Sequence, residues 1–136
     1  MTHDGLRVET SPGKGRGVFA LRRFDKGEVI ERCPVLVLSP EDADAADDTA
    51  LQPYLYEWGS DGESRALPLG YGAIYNHSLE PNAWCEMDLE RREMTVVALR
   101  DVAPGDEIVL NYNGEPEDRS GGWFDGTDPE RVGIHR

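Results

Sequence analysis

From residue 6 to residue 112 the apolar side chains come in short alternating runs, most of them halted by glycine, proline or aspartate. A chain patterned this way builds many short strands and little helix. Residues 6–9 and 17–21 bracket the turn Ser11-Pro12-Gly13-Lys14-Gly15-Arg16-Gly17, where alternate glycines permit positive φ and a close approach to another group. Val18-Phe19-Ala20-Leu21, a turn at Asp25-Lys26-Gly27 and Glu28-Val29-Ile30 read as strand, turn, strand. Residues 34–38 read as a strand with proline tolerated at its start. Met94–Leu99 and Glu107–Tyr112 alternate on either side of the turn-forming Asp101–Asp106.

Three stretches depart from this pattern. Residues 39–48 are acidic and alanine-rich, without an apolar face; they read as an exposed loop with a helical turn at most, opened by the Ser39-Pro40 cap signal. Leu51, Tyr54, Leu55 and Trp58 follow an i, i+3, i+4, i+7 pattern, but Pro53 leaves strand and short helix both open. Beyond Tyr112 the composition is Gly, Pro, Asp and Glu, broken by Trp123-Phe124. The 136 residues fit one domain, with no internal repeat.

The net charge of −13 is uneven: residues 1–32 carry +2 and the remainder −15. That field repels phosphate backbones, so direct nucleic-acid binding is not expected, and it attracts cationic partners such as lysine-rich segments. Cys33 and Cys85 make no CxxC or CxC pair, and His3, His77 and His135 are scattered, so no metal site is expected. Reduced thiols are the simpler reading, with one disulfide left open. No apolar run reaches the roughly 18 residues of a membrane span, and the N-terminus lacks the layout of a secretory signal. A soluble, cytoplasmic protein is expected.

Gly15-Arg16-Gly17-Val18-Phe19-Ala20 fits the GxGxxA form of the dinucleotide fingerprint, but that motif needs a helix directly after it, and strand-like alternation follows instead. Lys14 is misplaced for a P-loop. What remains is a turn whose backbone amides can contact a small ligand. Asn76-His77-Ser78-Leu79-Glu80-Pro81-Asn82 offers donors and acceptors in a proline-fixed loop. Gly105-Asp106-Glu107-Ile108-Val109-Leu110-Asn111-Tyr112 ends a strand on a tyrosine, and several tyrosines together can line a narrow tube with their polar tips aimed at one point.

Taken in order, these three motifs resemble the signatures of SET-domain lysine methyltransferases, at the spacing of the smallest, chlorella-virus-type members and over about residues 6–124. The resemblance implies a mainly β fold, the SET-domain (β-clip) arrangement of short strands in small sheets with a C-terminal pseudoknot. It implies a single domain over 1–136: a core at about 6–114, an insert at about 39–66, and a short tail at 115–136 without the family's zinc-binding cysteines. It implies S-adenosylmethionine as cofactor, contacted by Lys14, Gly15, Arg16, Gly17, Tyr54, Asn76, His77 and Trp123. Tyr112 takes the position of the catalytic tyrosine. Tyr71, Tyr75, Leu110 and Phe124 would line the channel for a substrate lysine from a basic protein or peptide, and a homodimer is the implied assembly. A SET-like module that binds without turnover is the alternative. A partial likeness of residues 12–30 to the sugar-binding SAF module leaves the Asn-His-Ser loop unexplained.

Overall fold

The computed structural model describes residues 5–112. Strand β1 (Leu6–Ser11) and strand β2 (Gly15–Ala20) form an antiparallel hairpin in register from Leu6↔Ala20 to Ser11↔Gly15. The glycine turn closes it: Gly13 and Gly15 take φ of 76° and 77°, and the Lys14 amide donates to the Ser11 carbonyl at 3.0 Å. Strand β3 (Val29–Leu38) is the longest element and begins well before the start that Pro34 suggests, joining two runs that read as separate strands. Pro34 sits within it at an exposed position.

Helix α1 (Pro40–Asp47) is longer than the single turn expected of residues 39–48. The Ser39 hydroxyl accepts from the Asp42 amide, Pro40 opens the helix, and Glu41 and Asp42 suit the positive end of the helix dipole. Ala43 and Ala46 are buried, a narrow apolar stripe too slight to register as periodicity. The ambiguous segment after it resolves into a 3₁₀ turn (Gln52–Tyr54) followed by the two-residue strand β4 (Tyr56–Glu57).

The remaining strands are β5 (Arg65–Pro68), β6 (Asn76–His77), β7 (Ala83–Asp88), β8 (Glu93–Ala98) and β9 (Glu107–Leu110). One sheet has the order β1-β2-β9-β6 and the other β4-β5-β3-β8-β7. Most pairings are antiparallel. β6 and β9 instead run parallel, with Asn76 opposite Val109 and His77 opposite Leu110. That pairing joins the second motif to the third. The threading of the chain past Tyr112, on which a C-terminal pseudoknot depends, lies outside the described residues.

The core lies between the sheets. Val18, Phe24, Tyr75, Met94, Val96, Val102 and Ile108 have no exposed surface. Phe24 bridges to Val102, tying the loop after β2 to the turn before β9. Packing is close at Gly72, where a Cβ would come within 2.5 Å of the Pro68 Cβ and 2.9 Å of the Cys33 sulfur. Among the described residues no helix is long and apolar enough to cross a membrane.

Candidate active site

β6 is only two residues long, but it lies beside β9 and near β2, which carries the end of the glycine turn. Lys14 reaches across from that turn: its ammonium donates to the His77 carbonyl at 3.1 Å. Asn76 is buried, and its side-chain nitrogen donates to the Arg16 carbonyl at 2.9 Å and to Glu107 Oε2 at 2.7 Å. The other oxygen of Glu107 accepts from the Ser11 hydroxyl at 2.8 Å. Gly17 makes this possible: a Cβ there would lie 2.3 Å from Glu107 Oε2 and 2.8 Å from the Asn76 nitrogen. The space at this glycine is thus filled by the protein's own side chains.

His77 Nδ1 accepts from the Tyr112 amide at 3.1 Å, so the imidazole is neutral and carries its proton on Nε2. The two rings lie 5.3 Å apart and tilted by 52°. The Tyr112 hydroxyl donates to the Tyr75 carbonyl. The Ser78 amide donates to the Leu110 carbonyl at 2.8 Å, continuing the parallel pairing. Asn82 fixes the far end of the loop, donating to the Glu107 carbonyl at 2.8 Å and accepting from the Val109 amide at 2.9 Å.

Lys14, Gly15, Arg16, Gly17, Asn76, His77 and Tyr112 are therefore brought together. Leu110 stands opposite His77, packed into the core. Tyr75 serves the site through its carbonyl; its ring is fully buried, and its hydroxyl donates to Glu31 Oε1 at 2.7 Å. The Tyr71 amide donates to the other Glu31 oxygen at 3.0 Å. Tyr54 lies on the 3₁₀ turn that leads into β4, at the edge of the second sheet. Trp123 and Phe124 lie outside the described residues.

Sequence reading passed over two carboxylates. Glu107 stood inside a recognised motif, but its partners lie 96 and 31 residues away. Glu31 would face solvent under strict alternation. The register of β3 on β8 slips between Val29 and Glu31, so Ile30 and Glu31 are both buried. No feature of the sequence marks that slip. Burial, and then the charge of Glu31, push the Cys85 thiol up to about 12 and raise the Cys33 thiol and the Tyr75 phenol well above their ordinary ranges. Both cysteines are free thiols.

Comparison with known proteins identifies the family. The SET domain family model matches residues 15–113. A Schizosaccharomyces pombe protein named histone-lysine N-methyltransferase, H3 lysine-37 specific, is 33% identical over 108 residues, covering 79% of this chain and 72% of that protein. The Drosophila melanogaster histone-lysine N-methyltransferase Set8 is 30% identical across 80% of this chain, which spans only 18% of the fly protein. The crystal structure of a Plasmodium falciparum protein described as a histone methyltransferase has 35% identity and a TM-score of 0.65, with 79% of this chain and 92% of that one covered.

Proposed function

The chain belongs to the SET-domain family of protein-lysine methyltransferases, and from that premise we propose that it moves a methyl group from S-adenosylmethionine to the side-chain amine of a lysine in a basic protein segment. The observation that carries this reading is the junction of Asn76, His77 and Tyr112: Asn76 bound to the glycine turn, His77 to the Tyr112 amide, and the Tyr112 hydroxyl to the Tyr75 carbonyl. The donor set suits the amino-acid end of such a cofactor. Lys14 supplies a cation for a carboxylate, and Asn76, with both N–H groups engaged, offers an oxygen to an ammonium.

When bound, the cofactor supplies an electrophilic methyl group on a sulfonium centre. The protein's own residues must then present a neutral amine. A lysine side chain has a pKa of about 10.4, so holding it neutral at pH 7 costs about 4–5 kcal/mol. Apolar walls lower that cost by disfavouring the ammonium; we assign them to Tyr71 and Phe124, since the Tyr75 ring and Leu110 are packed into the core and Tyr75 offers the site its carbonyl. The Tyr112 oxygen and the Tyr75 carbonyl make a pair of acceptors able to hold the hydrogens of an amine and aim its lone pair. Tyr54 and Trp123 are assigned to the cofactor's side.

A cationic substrate is supported by the net charge of −13 and by the exposed Glu41, Asp42, Asp44 and Asp47 along α1. The names of the relatives point to the same class of partner. Incubation with methyl-labelled cofactor and a mixture of basic proteins should place label on lysine. Tyr112→Phe should lower the rate by at least about a hundredfold, the scale of a positioned catalytic group, with cofactor affinity nearly unchanged in a direct binding assay. No labelled lysine with any basic protein, or full turnover by the variant, would refute this assignment.

A further inference from the structure

Asn76 is a buried amide with two hydrogens to give, and two fixed acceptors take them: the Arg16 carbonyl at 2.9 Å and Glu107 Oε2 at 2.7 Å. Both neighbours are acceptors only, so the amide nitrogen has to lie on their side and the oxygen on the other. Among the described residues no group donates to that oxygen. Asn76 therefore meets a ligand as an acceptor and nothing else.

The geometry points to Glu107 as the positioning residue that sets this polarity: we propose that its carboxylate locks the Asn76 amide so that the site accepts a hydrogen-bond donor, the cofactor's ammonium, at that point. The proposal rests on the cofactor reading above and deepens it. Glu107 is itself held at several points. Ser11 donates to its second oxygen at 2.8 Å, Asn82 donates to its carbonyl at 2.8 Å, and it stands opposite Phe19 in the pairing of β2 with β9. Gly17 completes the arrangement, since any side chain at that position would strike both Glu107 and the Asn76 nitrogen. Without the carboxylate one restraint remains, and the amide is freer to turn its nitrogen toward the ligand.

The test is calorimetric binding of S-adenosylhomocysteine to wild type, Glu107→Ala, Asn76→Ala and the double variant. Each single change should weaken binding about tenfold, the scale of one hydrogen bond to a charged group. The double variant should be no weaker than either single one, because Glu107 acts through Asn76. Independent losses that multiply would overturn the proposal, as would unchanged affinity in Glu107→Ala. Glu107→Gln keeps an oxygen for Asn76 and should bind like wild type, whereas Glu107→Met, of similar length and without an acceptor, should bind like the alanine variant. If glutamine and methionine behave alike the proposal fails, and that comparison decides the matter should the alanine variant not fold. An analogue of the ligand lacking its amine should bind wild type and Glu107→Met equally well; a loss there would overturn it. Wild type that binds no S-adenosylhomocysteine would remove the cofactor reading and this one together, a result distinct from those above.

Discussion

Asn76, His77 and Tyr112 could be singled out from the sequence because each sits in a short motif, and the structure brings the three together. Glu107 and Glu31 could not, because their importance comes from partners far along the chain and, for Glu31, from a strand slip. Gly17 was noticed for a different reason from the one its surroundings supply. Its missing side chain leaves space for Glu107 and Asn76, so Gly17→Ala should act on the site through overpacking. A Cβ at 2.3 Å from a carboxylate oxygen forces Glu107 aside, and the expected cost is about 1–3 kcal/mol of stability together with weakened S-adenosylhomocysteine binding. Thermal melting and calorimetry check both; a variant unchanged in each would show that the crowding is relieved without consequence.

Among the elements, β1, β2 and β9 were legible in outline from alternating runs, but β1 extends to Ser11 and β2 starts at Gly15, inside the segment read as turn, and the two-residue β6 was not foreseen. The helix over residues 40–47 was underestimated because its apolar stripe consists of two alanines, and its stability owes much to capping and burial. The second sheet carries a property that no local pattern announces. Cys33 on β3, Cys85 on β7 and the Tyr75 phenol all lie close enough to Glu31 to feel its charge, and burial raises their pKa values first. Each raised value means the folded state favours the protonated form. Their contribution to stability is complete below the unfolded thiol pKa of about 8.5. It falls as pH climbs from there toward the folded value of about 12 for Cys85. The melting temperature should therefore drop steadily between about pH 9 and 11, and a flat profile would contradict the burial of these groups.

For the whole molecule, the mainly β architecture followed from the distribution of short runs, while the sheet order did not. Strand order 1-2-9-6 depends on which edges remain open after the hairpins form, and that is a property of the assembled chain. Pairings such as Val18↔Ile108 and Phe24↔Val102 join distant parts of the sequence, which makes folding slow for the chain's size and strongly cooperative. β9 occupies an interior position, antiparallel to β2 and parallel to β6. Loss of ligand binding and loss of strand signal in circular dichroism should accordingly share one midpoint in urea. A separate, earlier loss of binding would show that the site opens while the sheets persist.

The same strand begins with Glu107 and leads directly into Tyr112, so the last described stretch of chain carries both the carboxylate that holds Asn76 and the tyrosine bound to the Tyr75 carbonyl. During synthesis the glycine turn and the Asn-His loop leave the ribosome first and wait without a functioning partner. If the proposed site is the working one, a nascent polypeptide of this design has no complete site until translation has passed residue 112.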